Sequence, residues 1–587
     1  MRRLKRIRLT RTPNGAAPAK THCFFSSLGA SLRPHAHPSS LKLPPPAPLP
    51  ENKGILRVSS APTSFAEDRK LIAVASFGTV FEWYDFYLYG ALAATITKQF
   101  FSGVDETTGF VFALMAFAAG FVVRPFGALV FGCLGDLFGR KRTFLATMLL
   151  MGLATVSVGL LPSYSRIGIT APILLVVLRL MQGLAVGGEY GGAAIYVAEQ
   201  VPTNRRGYYT SWIQATATLG LLLSLAVVLG CRLWTGPAFD VWGWRIPFLF
   251  SVVLLAVSLW MRLSMPESRA FLKAKTDGQL TRAPLREVFG KKEHFSKVAV
   301  AMGGIVIGQA VVWYTAQFYS LYFLSQSLRV DSVTVTLLLG CALLLASPFY
   351  VVFGSLSDRI GRKPVMLTGI FVGALALFPI FKGLTHFANP ELETAAQMNP
   401  VVVAADPQTC GFQFDPLGQA KRRTDCDKAK ALLSRIGIPY SNALLPARAP
   451  LQLKIGGASL SGFDPAAIQN ALKSAGYPTR ADPARMNKPM IVILLIVLLL
   501  LSFLIYAPLA AALVELFPTR IRYTAMSFPY HLGIGWFGGL LPTIAFSLVV
   551  ATGNIYSGLW YPVVIGLLSF LIALFFYKEA RGRDLEM

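Results

Sequence analysis

Two carboxylates, Glu82 and Asp85, stand in the middle of the first long apolar stretch of the chain. Their spacing of three residues places both on one face of a helix. Ionisable side chains inside an apolar span are costly to bury, so they indicate function by default. A carboxylate in a cavity of low dielectric can bind and release a proton near neutral pH. The pair therefore predicts proton coupling, unless one of the two is a permanent structural partner of Arg124.

Two arginines are the cationic counterparts of these carboxylates. Arg124 lies in the second apolar stretch and Arg179 in the fourth. A guanidinium stays charged and offers a planar fork that fits a carboxylate, so we expect both to bind solute. The alternative is that they only form ion pairs with nearby carboxylates, among them Glu189. If the first stretch does not carry the proton, Glu189 is the next candidate for coupling.

The second half of the chain is poorer in buried charge but has a polar aromatic stripe. Gln309, Trp313 and Gln317 recur every four residues in the seventh apolar stretch, which places them on one helix face. Such a stripe can hydrogen-bond a polar solute while the indole supplies an apolar wall. Helix packing or an interfacial belt is the alternative. His531, in the eleventh stretch, is interpreted as a packing or pore residue rather than a ligand.

A ten-residue loop motif occurs twice, each time after the second apolar stretch of its half. The copies read Gly132-Cys-Leu-Gly-Asp136-Leu-Phe-Gly139-Arg140-Lys141 and Gly354-Ser-Leu-Ser-Asp358-Arg-Ile-Gly361-Arg362-Lys363. Glycines allow close helix approach and tight turns, and an Asp four residues before an Arg can tie a helix end to a neighbouring helix. We therefore predict a gate, although a charged turn that only maintains topology is the alternative. The candidate gating residues are Gly132, Asp136, Gly139, Arg140, Gly354, Asp358, Gly361 and Arg362.

The composition is that of a polytopic membrane protein. The mean hydropathy is +0.54, with 54% hydrophobic and 14% charged residues, whereas about a quarter of the residues in soluble domains are charged. Twelve stretches approach the length of about 20 residues that a span requires. They are continuous, which indicates helices rather than a barrel. We predict an all-α fold of two six-helix halves, 66–263 and then 298–384 with 489–578.

The repeated loop resembles the signature of the major facilitator superfamily, although Leu137 stands where the second copy has Arg359. Further stretches resemble the metabolite:proton symporter branch of that superfamily. They are Phe81-Glu82-Trp83-Tyr84-Asp85-Phe86, Arg124-Pro125-Phe126-Gly127 and Arg179-Leu-Met-Gln182-Gly183-Leu-Ala-Val-Gly187-Gly188-Glu189. The resemblance covers roughly residues 70–385 and 488–585. It implies the major facilitator fold and places Gln182, with Arg179, in proton or substrate handling.

The distribution of basic residues predicts the orientation. Loops on the N-terminal side of the membrane carry clusters, for example at 140–142 and between Arg269 and Lys297, whereas the opposite short loops carry few. The positive-inside rule therefore predicts that both termini are cytoplasmic, as in a multi-pass protein of the bacterial inner membrane. This bias and the basic N-terminal tail explain the net charge of +26 without nucleic-acid binding.

Four segments lie outside the predicted helical core. Residues 1–65 are basic and proline-rich and are predicted to be disordered. Residues 264–297 form a cytoplasmic linker and residues 579–587 a cytoplasmic tail. The insert, 385–488, lies on the opposite side of the membrane.

The insert is predicted to contain two short helices, near 427–436 and 464–475. Cys410 and Cys426 fall in a compartment that permits oxidation, so we predict a disulfide between them. A lid, a partner-binding element and a passive insertion all remain open as roles for the insert.

These features predict a secondary active transporter that imports a small polar metabolite by proton symport with alternating access. An organic anion is preferred, because two arginines lie at membrane depth and the resembling family is rich in organic-acid importers. The alternatives are a proton-coupled importer of osmolytes such as proline or betaine and a non-transporting receptor or scaffold. The osmolyte importers of the resembling branch carry a long cytoplasmic C-terminal coiled coil. This chain stops about ten residues after its last predicted span, which argues against the osmolyte.

The sequence offers no pattern typical of an enzyme. It has no phosphate-binding loop, nucleophile elbow, nucleotide fingerprint or metal cluster. We therefore expect no cofactor and no metal. The expected partners are a small solute, protons and the lipid bilayer, with the protein acting as a monomer.

Overall fold

The computed structural model describes residues 79–102, 106–263, 267–408, 410 and 424–585, and all of their side chains except those of 93–94, 106–115, 117–118 and 269. The predicted tail, 1–65, and the start of the first predicted span lie outside these residues. Eleven of the described helices are long and apolar enough to cross a membrane. The remainder of the first span is also helical, so the fold is an all-α membrane bundle.

Continuous apolar runs form helices because the backbone must satisfy its own hydrogen bonds in lipid. We number the spans in chain order. The first half contains span 1 (79–91 and Ala93–Phe100), span 2 (Glu106–Phe138), span 3 (Arg140–Leu160), span 4 (Thr170–Gln200), span 5 (Arg206–Thr235) and span 6 (Arg245–Leu263). A short helix, Tyr164–Ile167, precedes span 4, and the linker holds two more, Arg269–Thr276 and Pro284–Gly290.

The second half repeats this plan with more irregular helices. It contains span 7 (Lys292–Ser327), span 8 (Ser332–Ala346 and Phe349–Ile360), span 9 (Arg362–Ala388), span 10 (Lys488–Leu516), span 11 (Arg522–Leu532, Gly533–Gly538 and Leu541–Thr552) and span 12 (Trp560–Phe576). Span 7 includes π-helical turns at Met302–Val306, Thr315–Tyr319 and Phe323–Ser327, and span 11 has one at Gly533–Gly538. Such turns are frequent at functional sites.

The halves meet where span 2 packs on span 11 and span 5 packs on span 8. A Cβ atom added at Gly132 would lie 2.9 Å from the Thr524 Cα, and one added at Gly354 would lie 2.5 Å from the Gly207 carbonyl oxygen. Glycine is therefore required at these two crossings, because a side chain would separate the backbones. We call the side of the fold that carries Gly139 the motif face.

The insert forms a small folded unit at the opposite side, which we call the insert face. Its helices are Pro390–Met398, Asp425–Arg435 and Pro465–Ser474, and its strands are β1 (Val401–Ala405), β2 (Ser441–Leu444), β3 (Gln452–Ile455) and β4 (Ala458–Ser461). The sheet order is β2-β1-β3-β4, with β1 and β2 parallel and the other pairs antiparallel. The sequence predicted two of the three helices and missed the sheet. Cys410 and Cys426 form a disulfide.

Hydrogen bonds fasten the insert to the second half. Arg329, between spans 7 and 8, donates from its guanidinium to the Arg435 and Thr479 carbonyls and accepts a bond from the Ala481 amide. Its φ of 58° lies in the left-handed region, where a non-glycine residue persists only when surrounding contacts hold it. Tyr440 donates from its amide to the Gly553 carbonyl, just after span 11, and from its hydroxyl to the Val550 carbonyl in the last turn of that span.

Candidate functional site

The carboxylates predicted to carry protons line one cavity inside the first half. Glu82 and Asp85 are 8% and 3% exposed. The cavity has a volume of about 30 Å³, and its walls come from spans 1, 2 and 4, with Arg124 and Arg179 among them. This space holds about one water molecule, whereas metabolite pockets measure about 300–1,000 Å³. The site is therefore collapsed around its own side chains in this state.

Asp85 is held by span 4. The Gln182 amide donates to the Asp85 carboxylate at 3.2 Å and to the Thr155 hydroxyl at 2.8 Å, and its carbonyl oxygen accepts a 2.6 Å bond from Arg179. The Arg179 guanidinium also lies over the ring of Tyr89, 4.1 Å from the ring centroid. Arg179 thus reaches Asp85 electrostatically and through Gln182.

Arg124 lies among aromatic rings. Its guanidinium is 4.3 Å from the ring centroid of Phe121 and 5.3 Å from that of Phe86. Its Nε is buried and makes no hydrogen bond to any described residue. It is close enough to Glu82 for their charges to interact. The guanidinium therefore keeps hydrogen-bonding capacity that a solute could use.

Glu189 is committed to a different arginine from those expected. Its carboxylate lies 3.1 Å from Arg262 of span 6, with both side chains buried, and Arg262 in turn covers the ring of Phe144. The alternative in which Glu189 is an ion-pair partner of Arg124 or Arg179 is therefore wrong. Glu189 is absent from the lining of the cavity, because it points towards span 6.

The predicted stripe of span 7 faces span 1 across the interface between the halves. Gln309, Trp313 and Gln317 are all buried. The Gln317 carbonyl oxygen accepts a 3.3 Å bond from Tyr87, and the rings of Trp313 and Trp83 lie 5.8 Å apart. These residues are outside the lining of the small cavity, although Trp83, the ring neighbour of Trp313, belongs to that lining.

A cluster of tyrosines, missed in the sequence, connects the halves at the same interface. Tyr190 of span 4 stacks on Tyr530 of span 11 with ring centroids 3.7 Å apart. The hydroxyls of Tyr530 and Tyr506 lie 3.0 Å apart, and Gln214 donates to the Tyr190 hydroxyl at 2.6 Å. Each tyrosine follows or interrupts an apolar run, so its partner is evident only once the halves are packed.

The repeated motif joins the halves reciprocally at the motif face. Asp136 of the first half accepts hydrogen bonds from the backbone amides of Tyr523 and Thr524, at 3.1 and 2.9 Å. Asp358 of the second half accepts from Gly207 and Tyr208, at 2.9 and 2.7 Å. Each carboxylate therefore caps the first turn of a span in the opposite half, where backbone amides lack helical partners.

The motif arginines stand behind these carboxylates. Arg362 lies 2.6 Å from Asp358, and Arg140 lies 3.4 Å from Asp136. Arg140 also donates to the Thr519 carbonyl of the second half at 2.5 Å. Gly139 and Arg140 mark the turn into span 3, as Gly361 and Arg362 mark the turn into span 9; the two glycines have φ of 112° and 104°.

Four charged residues complete this interface and were not identified from the sequence. Glu199 bonds Arg522 at 2.5 Å, and Glu515 lies 3.4 Å from Arg206 and 3.3 Å from Arg362. Their signal is a second internal repeat, Glu-x-x-Pro-Thr-x-x-Arg, at 199–206 and again at 515–522. Comparison of the two halves for repeats outside the glycine motif would have found it.

Comparisons with known proteins identify the family of the chain. The family model described as "Sugar (and other) transporter" matches residues 71–287 and 272–405. The shikimate transporter of Escherichia coli K12 is 39% identical over 321 residues, which cover 53% of this chain and 72% of that protein. The glycine betaine/proline/ectoine/pipecolic acid transporter OusA of Dickeya dadantii is 29% identical over 531 residues, which cover 88% and 85%.

Solved structures support the fold. The proton:xylose symporter XylE, bound to 6-bromo-6-deoxy-D-glucose, matches with a TM-score of 0.57 and 16% identity, covering 89% of this chain and 98% of that one. Its architecture is that of the major facilitator superfamily. The chain is therefore a multi-pass membrane transporter that belongs to the sugar (and other) transporter family of the major facilitator superfamily.

Proposed function

We propose that this transporter imports a small organic anion together with protons by alternating access. The observation that carries the proposal is the meeting of Glu82 and Asp85 with Arg124 and Arg179 around one buried cavity. The carboxylates can carry protons and the guanidinium groups can bind a carboxylate. The similarity to the shikimate transporter, at 39% identity, supports the same solute class, because shikimate is a carboxylate.

Proton and anion binding can be linked through charge. Glu82 lies within electrostatic range of Arg124, and Asp85 within range of Arg179. A proton on either carboxylate removes a negative charge beside an arginine, and this strengthens the attraction between that arginine and a solute anion. Symport then follows from mutual stabilisation of the two ligands.

The motif face is proposed to be cytoplasmic. The excess of Lys and Arg in its loops supports this orientation. The Cys410–Cys426 disulfide of the insert supports an oxidising compartment on the other side. A cysteine introduced at Ser459 in β4 should react with membrane-impermeant maleimide in intact cells, whereas one introduced at Asp277 in the linker should not; the reverse labelling would invert the topology.

Proteoliposomes test the transport reaction directly. Uptake of radiolabelled shikimate, L-proline and glycine betaine is measured with and without an imposed inward proton gradient, and then after an ionophore collapses it. We expect concentrative uptake of shikimate, the one organic anion among the three, and only with the gradient. Arg179→Lys should reduce uptake about tenfold, because an ammonium lacks the planar fork that fits a solute carboxylate, while the exposed Arg166→Lys should not change it. Equal uptake without a gradient would contradict symport.

A second candidate is import of a zwitterionic osmolyte, which the similarity to OusA supports. The rings of Trp83 and Tyr506 lie 5.8 and 5.9 Å from that of Trp313, so aromatic faces border the interface between the halves. Aromatic faces attract quaternary ammonium groups. Glycine betaine uptake that falls in Trp313→Leu, with no uptake of shikimate, would favour this candidate over the organic anion.

A further inference from the structure

His531 of span 11 is a buried group to which the reaction above assigns no role. Its side chain is 2% exposed. Both ring nitrogens are buried, and neither makes a hydrogen bond to any described residue. Either tautomer of an imidazole has one N–H donor, and a buried donor without a partner costs free energy. A group that a ligand brings could satisfy it.

Arg124 of the first half is in the same condition and lies near His531. Its Nε is also buried without a hydrogen bond to any described residue. The two side chains are close enough to interact electrostatically. Arg124 also lines the cavity that holds the proton-coupling carboxylates. Two nitrogen donors, one from each half, therefore lie near each other, and one of them lines the cavity.

The helix register places the two residues at the same depth. Span 2 and span 11 pack closely at Gly132 with Thr524, and again at Phe121 with Gly535. Phe121 and Gly132 are eleven residues apart in span 2, as are Thr524 and Gly535 in span 11, and the two spans run in opposite directions. By interpolation, Arg124 lies level with the residue that follows the histidine. Backbone packing thus places the two residues at similar depth, in agreement with the electrostatic interaction between their side chains.

We propose that the carboxylate of the transported solute binds between Arg124 and His531 and so joins the two halves. A guanidinium and an imidazole N–H both donate, and a carboxylate offers up to four acceptor sites. A cation would meet only Arg124 and a neutral donor there, so an anionic group is the matching chemistry. This inference rests on the proposed function, since it assumes a solute with a carboxylate.

A solute bound in this way would affect the equilibrium between states. It would contact spans 2 and 11, which belong to opposite halves and pack together. A ligand shifts a conformational equilibrium only by its difference in affinity for the two states. Contacts from both halves supply such a difference, because the distance between the donors changes when the halves move. His531 is then a substrate-binding residue through which bound solute also contacts the second half.

Binding measurements on the purified full-length protein test the proposal. The probes are shikimate, L-proline and glycine betaine, each compared with its methyl ester, which lacks the carboxylate. His531→Leu should weaken binding of the acid about tenfold, by loss of one hydrogen bond to a charged group, and leave the ester unchanged. His531→Gln should retain most of the affinity, because its amide can donate. The exposed His386→Leu serves as the matched control.

The double variant gives an independent measurement. Arg124→Gln combined with His531→Leu should weaken acid binding by less than the product of the two single effects, because both side chains hold one carboxylate. Equal loss for acid and ester in His531→Leu, or none for either, would overturn the His531 assignment and leave the proposed function standing. Absence of binding by all three acids to the wild-type protein would overturn both.

Discussion

The Glu199 carboxylate of span 4 lies 2.5 Å from the Arg522 guanidinium of span 11, with both side chains almost fully buried. The pair joins the two halves at the motif face. Arg140 of the first half lies 3.9 Å from the same carboxylate, and Ser268 of the linker donates to it. Glu199 therefore connects the first half and the linker to Arg522 of the second half. A buried ion pair is a weak source of stability but costly to break on one side only. Any opening of this face must therefore separate the two charges, and water must reach both of them as they separate.

Removal of one charge from the pair should favour the open motif face. Glu199→Gln leaves the Arg522 charge without its carboxylate, at a cost of about 3–5 kcal/mol to the closed state. We expect a cysteine at Thr519 to react with maleimide at least tenfold faster in this variant. The double variant Glu199→Gln/Arg522→Gln should recover part of the protection, because no charge is then left buried. Identical labelling in all three proteins would contradict a role in closure.

The motif carboxylates should control turnover more than affinity. In Asp136→Asn and Asp358→Asn an amide replaces a carboxylate that accepts two backbone bonds, so each cap is weakened by about 1 kcal/mol or more. Transport turnover should fall in both variants, with little change in the solute concentration that gives half-maximal uptake.

The exposed Asp277→Asn is the control for these variants. The cysteine at Thr519 is also labelled with maleimide in both motif variants. If both transport solute and react with maleimide at the wild-type rate, the repeated motif acts only in topology.

The carboxylates of span 1 should be needed for accumulation but less for exchange. Asp85→Asn and Glu82→Gln each remove a group that can carry a proton, so neither should concentrate solute against a gradient. Counterflow exchange of labelled for unlabelled solute should persist in part, because it requires no net proton movement. Retention of pH-driven accumulation in both variants would transfer coupling to another group, with Glu189 and its partner Arg262 the first to test.

The Cys410–Cys426 disulfide of the insert should become easier to reduce in acid, because protonation of Asp406 weakens the loop that holds it. Hydrogen bonds from the Arg448 and Gln408 amides to its carboxylate hold the pKa of Asp406 below its ordinary range. A lowered folded pKa means that this contribution to stability is complete above about pH 4, the ordinary value, and is lost as the pH falls through the folded pKa. Reduction of the Cys410–Cys426 disulfide by a phosphine should therefore accelerate as the pH falls from 5 to 2.

The matched control is Asp406→Asn, whose side chain does not titrate. Its reduction should depend less on pH over the same interval after correction for the reagent. A wild-type rate with the same pH dependence as the variant would show that Asp406 does not hold this loop.

The parts of the fold predicted from the sequence are those determined by local pattern. Continuous apolar runs specify helices, and the repeated glycines indicated that the halves correspond. The partner of Asp136 could not be predicted, because Tyr523 and Thr524 are distant in sequence and meet it only after the halves pack. Arg262 was not singled out in the sequence, so its pairing with Glu189 was missed.

The insert illustrates the limit differently. Its strands have four or five residues, too few for an alternating pattern to be distinguished from a loop. The helix Pro390–Met398 begins after an Asn cap, a recognisable signal that was overlooked. The two helices predicted near 427–436 and 464–475 are present at 425–435 and 465–474, and in the structure each begins after a side chain that caps it.

The attachment of the insert through Arg329 and Tyr440 has a practical consequence for observing transport. A domain fastened to one half gives that half a marker outside the lipid, large enough to hold a fluorophore or an antibody fragment. One dye on β4 and another at Ser165, in the connection between spans 3 and 4, would report the angle between the halves as a change in energy transfer. The same fragment would break the near twofold symmetry of the bundle in electron images and so orient each particle.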